Sequence, residues 1–290
     1  MRYQGNKLNP SKFSRSQIPF FLVLIPLAFV FMLPIVYIFV TAFKPLAELF
    51  AFPPRFYVIR PTLDNFRDLG AALSSSTVPL SRYLLNSLLS TALTVIASVL
   101  LSLYAGYSLA KKKFRCKNLL NTINTMAMMF VPVSVTIPRY LVMKELAVLN
   151  TFFALVLPLI AMPVGLFLVK QFISDVPDAL IEAARIDGAT ENQIVRKIIT
   201  PIVKPALATV AILAFQSSWN AVEPSSTFVD DELLRTFPFY LSTLASSQGS
   251  SVSGAGMVSA ATLITFIPNL IIFICMQSKV LNTMAHSGIK

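Results

Sequence analysis

The chain has 290 residues, of which 55% are hydrophobic and only 13% are charged, and it carries a formal net charge of +11. A soluble domain of this length has about a quarter of its residues charged. This composition therefore excludes an ordinary soluble globular protein and predicts an all-α protein embedded in a membrane.

Charge-free apolar stretches long enough to cross a bilayer, about 20 residues, occur six times along the chain. They cover residues 18–43, 83–110, 118–138, 146–169, 205–222 and 258–276. The first stretch is longer than the apolar region of a secretory signal, and no small-residue cleavage site follows it, so we expect it to remain as an anchor. The sequence thus predicts six transmembrane helices.

Basic residues lie mostly in the segments on one side of these six stretches. Sixteen of the 24 Lys and Arg residues occur in the two terminal tails and in the loops after the second and fourth stretches. By the positive-inside rule this side, with both termini, is cytoplasmic. Topology signals and contacts with lipid headgroups are sufficient to explain the net charge, so we expect a lipid bilayer and no nucleic acid as partner.

The residue patterns typical of catalysis, metal binding and nucleotide binding are missing. His286 is the only histidine, neither a G-x-x-x-x-G-K-[ST] loop nor a G-x-G-x-x-G motif occurs, and Cys116 and Cys275 lie where no external disulfide can form. We therefore expect no catalytic residues, no metal and no cofactor on this chain, and any nucleotide that drives it must bind another chain. The six stretches also contain no Asp, Glu, Lys, Arg or His, which argues against a proton-coupled carrier.

Neutral polar side chains are the polar groups that these stretches do contain. Asn86 lies in the second stretch, and Gln216 and Asn220 lie in the fifth. Side chains of this kind supply hydrogen bonds between helices in membrane bundles, which is our first interpretation of any one of them. The alternative is that they line a path for a neutral, hydroxyl-rich solute.

The longest cytoplasmic segment, residues 170–204, contains residues that start and end helices. Pro177 and Asp178 are typical of a helix start, where proline is tolerated and an acid is stabilised by the helix dipole. The sequence predicts a helix over residues 179–187. Gly188 follows at the position where glycine adopts the left-handed conformation without a Cβ penalty.

A second short helix is predicted directly after this glycine. Thr190 and Gln193 form the capping-box pattern, the helix covers residues 191–199, and Thr200-Pro201 ends it. Each helix has one apolar side, formed by Ile181, Ala183 and Ala184 on the first and by Ile194, Ile198 and Ile199 on the second. This side covers either the bilayer surface and the chain's own spans or a groove in a soluble partner.

The stretch Glu182-Ala183-Ala184-Arg185-Ile186-Asp187-Gly188, followed after nine residues by Ile198-Ile199-Thr200-Pro201, resembles the EAA signature of bacterial ABC-importer permeases, E-A-A-x3-G-x9-I-x-L-P. Thr200 departs from that signature, which has leucine there. Similarity to the carbohydrate branch, and within it to the second permease subunit of maltose and glycerol-phosphate importers, is found in Asn86-Ser87-Leu88, Trp219-Asn220, Arg235-Thr236-Phe237-Pro238 and Ser287-Gly288-Ile289-Lys290.

The resemblance implies a type I ABC importer fold with six transmembrane helices and a cytoplasmic coupling loop. The implied parts are cytoplasmic tails at residues 1–17 and 277–290, a first transmembrane helix at 18–43, an extracytoplasmic loop at 44–82, and a transmembrane domain at 83–276 with the coupling loop at 174–201. The implied function is import of a sugar or oligosaccharide. A permease for another solute, an ATP-independent carrier and a structural scaffold are the alternatives.

The resemblance also implies partners and site residues. The partners are a second, different permease subunit, two ATPase subunits that bind ATP and Mg, and an extracytoplasmic sugar-binding protein. The residues expected to shape the ATPase contact are Glu182, Ala183, Ala184, Asp187, Gly188, Ile198 and Pro201. Asn86, Trp219 and Asn220 are the candidates for the solute path, although Trp219 equally fits an interfacial anchor.

Overall fold

The computed structural model describes residues 17–53, 55–74, 78–249 and 251–287, and every regular element in those ranges is a helix. The α-helices are α1 (Ile18–Ala42), α2 (Leu46–Leu49), α3 (Asp64–Ser74), α4 (Leu80–Lys111), α5 (Lys117–Ala127), α6 (Thr136–Glu145), α7 (Leu157–Ile160), α8 (Pro163–Ser174), α9 (Asp178–Ile186), α10 (Glu191–Gln193), α11 (Thr200–Ile202), α12 (Lys204–Trp219), α13 (Glu223–Thr227), α14 (Phe237–Gln248) and α15 (Val252–Ser287). Short 3-10 helices cover Pro132–Val135, Phe152–Leu155 and Glu232–Leu234.

Three of the described helices are long and apolar enough to cross a membrane by themselves. They are α1, α4 and the Val252–Met276 part of α15. Two further spans are possible if each of two bent helix pairs crosses as one unit, which gives up to five. The all-α membrane class is confirmed, whereas the count of six spans stays a prediction.

The third predicted span, residues 118–138, is not one continuous helix. Helix α5 ends at Ala127, and the chain resumes as a 3-10 helix at Pro132 and then as α6. Pro132 has no backbone N–H to donate, and it restricts the preceding Val131 to an extended conformation, with φ −74° and ψ 131°. A hydropathy profile does not reveal this break, because the apolar stretch continues through it.

The fourth and fifth predicted spans are also bent. Residues 146–169 were expected as one span, but the segment Phe152–Ile160 meets α8 at 47°, with an extended Met162 before Pro163. In the fifth, α12 occupies Lys204–Trp219 rather than residues 205–222, and it meets Glu191–Ile202 at 85°. Prolines at the start of α8 and α12 remove N–H donors where each bend occurs.

The described chain divides into two compact units. One comprises the described residues up to Leu69 together with Ser247–Leu263. In it the buried Asn65 amide donates to the carbonyls of Ala42 at 2.9 Å and Lys44 at 2.8 Å, so it satisfies carbonyls left free where α1 ends. A Cβ added at Gly256 would lie 2.3 Å from Oδ1 of Asn65, so only glycine fits against that amide.

The other unit comprises Gly70–Ser246 and the described residues from Ile264 onward. Helix α4 packs against α8 and α12 in its centre. A Cβ at Gly106 of α4 would lie 3.2 Å from both the Lys170 nitrogen and Val169 Cγ1, so glycine permits the close approach of α8. Helix α9 and the segment Ile194–Ile199 contribute buried residues to the same core.

A row of hydroxyl side chains runs along the buried face of α4. Its members are Ser87, Ser90, Thr91, Thr94, Ser98 and Ser102. Ser98 donates to the Ile160 carbonyl at 3.2 Å, and Ser218 of α12 donates to Thr91 at 3.3 Å. Small hydroxyl residues therefore hydrogen-bond α4 to neighbouring segments, as expected for neutral polar side chains in a membrane bundle.

Candidate functional site

Helix α9 is the first helix of the coupling loop, residues 174–201. It starts at Asp178 behind Pro177 and has Arg185 in its last turn. Ile181 and Ala184 are buried, while Glu182 and Ala183 are exposed. Ala183 lies about 100° around the helix from Ala184 and is exposed, so it does not join Ile181 and Ala184 in the chain's own core.

Gly188 ends α9 in the conformation expected from the sequence. Its φ is +78°, and the N–H groups of Gly188 and Ala189 donate to the carbonyls of Arg185 at 3.0 Å and Ala184 at 2.9 Å. These bonds use carbonyls that the end of the helix would otherwise leave free. An added Cβ would meet no atom within 4 Å, so the requirement for glycine is one of backbone conformation alone.

Thr190 and Gln193 form the predicted capping box. The Gln193 N–H donates to Thr190 Oγ1 at 3.4 Å, and the Thr190 N–H donates to Gln193 Oε1 at 2.8 Å. Each residue thereby satisfies a free backbone donor of the other at the first turn. The start of the second helix was therefore predictable from a four-residue pattern.

The second helix differs from its prediction beyond Gln193. Residues Ile194–Ile199 form a π-helical segment, and α11 continues through Thr200-Pro201 to Ile202 instead of ending there. Both the N–H and the hydroxyl of Thr200 donate to the Val195 carbonyl, the hydroxyl at 2.8 Å. Pro201 has no N–H to continue a regular ladder, and a π-helical turn accommodates such a gap.

The apolar sides of both coupling-loop helices face the chain's own core. Ile181, Ala184, Ile194 and Ile199 belong to a buried cluster with Leu103, Tyr107, Val169 and Ile173, and Ile198 packs partly against it. The opposite side is exposed and carries Glu182, Ala183, Asp187 and Pro201. Ile186, which sequence reasoning did not select, is 86% exposed beside the bend.

Glu191 joins the coupling loop to the end of α4. Tyr107 donates to its carboxylate at 2.7 Å, Lys112 forms an ion pair with it, and Arg185 lies 3.2 Å away. The hydrogen bond from Lys112, followed by that from Tyr107, holds the pKa of Glu191 below its ordinary value of 4.5. The carboxylate is therefore charged at neutral pH.

Two more contacts connect the same elements. Tyr104 donates to Asn192 Oδ1 at 2.7 Å, and Lys111 forms an ion pair with Asp178 at 2.8 Å. The hydrogen bond from Lys111 lowers the pKa of Asp178. A cavity of about 680 Å³ lies among these groups, lined also by Lys113, Lys117 and Glu182. The sequence pattern alone did not reveal this network, because its bonded partners are up to 88 positions apart.

The three solute-path candidates differ in burial and in hydrogen-bond partners. Asn86 is 3% exposed, and its amide donates to the carbonyls of Leu233 at 2.8 Å and Arg235 at 2.9 Å. Trp219 is 5% exposed, stacks on Phe215, and donates from Nε1 to the Thr265 carbonyl at 2.9 Å.

The third candidate, Asn220, is exposed, and its side chain exchanges hydrogen bonds with Asn269, one of them at 3.0 Å. Contact of any of the three with a solute stays a prediction. Among the described residues, no group of three or more His, Cys, Asp and Glu side chains is placed to hold a metal ion.

A helical membrane chain with a capped helix–glycine–helix loop on its own core has the architecture of a transporter permease. The family model for the binding-protein-dependent transport system inner membrane component matches residues 16–278, and the chain belongs to that family. It is therefore a multi-pass protein of the cytoplasmic membrane, and the family is one of permease subunits rather than of enzymes.

The relatives are permeases of transport systems. The chain is 30% identical over 263 residues to the sulfoquinovosyl glycerol transport system permease protein of Agrobacterium fabrum, covering 89% of this chain and 88% of the relative. It is 27% identical to the trehalose transport system permease protein of Mycobacterium tuberculosis, covering 89% of this chain and 92% of the relative.

A solved structure shares the fold. It is the crystal structure of a bacterial ABC transporter involved in the import of the acidic polysaccharide alginate. One of its chains matches with a TM-score of 0.77 and 23% identity, covering 92% of this chain and 98% of that one.

Proposed function

We propose that this chain is one permease subunit of an ATP-driven ABC importer that carries a sugar or oligosaccharide across the cytoplasmic membrane. The observation that carries the proposal is the two-sided coupling loop. Its apolar side is buried on the chain's own helices, and its other side presents Glu182, Ala183, Asp187 and the apolar Ile186. A surface of this kind suits a soluble ATPase partner.

The coupling loop is built to transmit force rather than to connect two helices loosely. Changing a two-state population from 1:99 to 99:1 takes about 5.5 kcal/mol of differential interaction, which a flexible loop could not deliver to the membrane helices. Caps at Thr190 and Gly188 fix both short helices. Ile198 and Pro201 lie where the loop leads into α12.

The partners follow from the family and from the exposed surface. We assign ATP and Mg to two separate ATPase subunits and the other half of the pore to a second, different permease subunit. An extracytoplasmic sugar-binding protein delivers the solute, and both termini lie in the cytoplasm. The family description, which names a binding-protein-dependent system, supports the binding protein. The excess of Lys and Arg on the side of the termini supports their orientation.

The choice of a carbohydrate rests on the relatives. Those named for sulfoquinovosyl glycerol, arabinooligosaccharides and trehalose all transport carbohydrate-containing solutes by name. Within this chain, Asn220 is the exposed candidate for the solute path, whereas Asn86 and Trp219 are buried.

The experiment is reconstitution of the complete importer, with both permeases, the ATPase and the binding protein, in vesicles. We expect ATP-dependent uptake of a radiolabelled sugar that is blocked by vanadate, which inhibits the ATPase. Vanadate-insensitive uptake without the ATPase would instead assign a secondary carrier. If the binding protein, tested by thermal shift against a solute panel, prefers a non-sugar, the carbohydrate assignment is wrong while the importer assignment stands.

A further inference from the structure

Helix α4 is hydrogen-bonded at both of its ends to segments that are distant in sequence. It has 32 residues, so it is about 48 Å long and can span a bilayer together with its headgroup regions. At one end, Tyr104, Tyr107 and Lys111 bind the coupling loop, as described above.

The other end of α4 binds the backbone of residues 233–237, here called the 233–237 segment. Arg82 Nε donates to the Leu233 carbonyl at 3.1 Å, beside the two bonds from the Asn86 amide. Ser87 Oγ accepts the N–H of Phe237 at 2.8 Å. Three side chains of α4 thus hold three backbone groups of this segment.

Burial makes these bonds hard to break. Asn86 and Ser87 are only 3% and 2% exposed. If the 233–237 segment moved away from α4, both N–H groups of the Asn86 amide would lose their acceptors, and an unpaired buried polar group costs about 1–3 kcal/mol. The segment and the helix therefore move together.

The segment also presents a surface. Its Leu233 side chain is exposed while the Leu233 carbonyl is held by Asn86, and the Arg235 guanidinium lies 4.6 Å from the Phe239 ring centroid. Because the α4 contacts use only the backbone of Leu233, its exposed side chain remains available for another contact.

We propose that Asn86 and Ser87 are positioning residues that fix the 233–237 segment to α4, so that this helix links the segment at one end with the coupling loop at the other. The proposal rests on the proposed function. Because coupling free energy is reciprocal, a contact made at the 233–237 segment biases the coupling loop, and ATP binding by ATPase subunits docked on the coupling loop biases the segment.

The test uses the complete importer in vesicles, with Cys116 and Cys275 replaced by serine and a spin label on Leu233→Cys. Addition of ATP and vanadate, with no solute present, should change the mobility of the label. Asn86→Leu, which keeps the side-chain size and removes both donors, should abolish that change. Asn118→Leu makes the same substitution at an exposed position of α5 and should retain it.

A second readout is the ratio of ATP hydrolysis with and without the solute-loaded binding protein. We expect Asn86→Leu to lower this ratio about fivefold or more, the low end of typical allosteric coupling factors, and Asn118→Leu to leave it unchanged. Ser87→Ala removes only the hydroxyl that accepts the Phe237 N–H, and it should also lower the ratio of ATP hydrolysis. It replaces Asn86→Leu as the test if that variant does not assemble.

The link between the 233–237 segment and the coupling loop is refuted if Asn86→Leu shows both a normal label response and a normal ratio of ATP hydrolysis. The same holds for Ser87→Ala if that variant is used instead. That outcome leaves the importer assignment untouched, because the unmodified complex would still take up solute. If the unmodified complex shows no ATP-driven uptake, the proposed function itself fails. The two failures are therefore distinguishable.

Discussion

The hydroxyl of Thr200 donates to the carbonyl of Val195 at 2.8 Å across a π-helical turn. This is the position at which the chain departs from the leucine of the EAA signature. The threonine hydroxyl adds a second donor to a carbonyl that already accepts the Thr200 N–H.

Removing this hydroxyl should weaken the π-helical turn modestly. Thr200→Val keeps the shape and loses the hydrogen bond, which contributes about 1 kcal/mol because the Val195 carbonyl keeps its backbone partner. The check is the midpoint of thermal unfolding in detergent, compared with Thr200→Ser, which keeps the hydroxyl and should unfold close to the unmodified protein. An equal loss in both variants would contradict the assigned role of the bond.

The bend at Gly188 should tolerate only residues that accept positive φ. Gly188→Val forces a β-branched residue to φ near +78° and should abolish ATP-coupled uptake, at a conformational cost of about 1–2 kcal/mol or more. Gly188→Asn should retain most uptake, because asparagine adopts this conformation more readily. No atom lies within 4 Å of a Cβ there, so the two variants differ in backbone preference rather than in crowding against neighbours.

Uptake is the measurement for this pair, normalised to the amount of each variant in the membrane. Normal uptake in Gly188→Val at a normal membrane level would show that the bend does not need its left-handed conformation.

The ion pairs of Glu191 should be insensitive to pH near neutrality. The folded-state pKa of Glu191 is lowered, so its stabilisation is fully present above the ordinary value of 4.5 and is lost as the pH falls through the lowered value. We expect the difference in unfolding midpoint between the unmodified protein and Glu191→Gln to be constant from about pH 6 to 8 and to shrink only under acid. A difference that falls between pH 6 and 8 would point to another titrating group.

The contact between Gly256 and Asn65 predicts a position-specific effect of adding one methyl group. Gly256→Ala would place Cβ 2.3 Å from Asn65 Oδ1, which displaces the amide from the carbonyls where α1 ends. We expect a loss of about 1–3 kcal/mol, the range for leaving a buried polar group unpaired. Gly70→Ala is the matched control, since nothing lies within 4 Å of its Cβ and alanine favours helix, and its unfolding midpoint should hold or rise.

Local patterns predicted the coupling loop well. The capping box at Thr190 and Gln193 and the left-handed Gly188 each depend on a few neighbouring residues, and both are present in the structure. The ends of the first span were predicted to within one residue, because hydropathy alone defines them.

Interactions over long sequence distances were not predictable in the same way. The break at Pro132 depends on how the backbone reorganises after a missing donor, and the role of Asn86 depends on carbonyls 147 and 149 positions away. Tyr107 and Glu191 form a 2.7 Å hydrogen bond although they are 84 positions apart in the sequence. Polarity and spacing identify such residues as candidates without identifying their partners.

The large apolar side chain of Ile186 is exposed beside the Gly188 bend. A newly made subunit without its partner therefore exposes a site that other apolar surfaces can contact, including those of misassembled copies and of quality-control proteases. The yield of this chain in a cell should consequently depend on whether its partner subunits are produced with it.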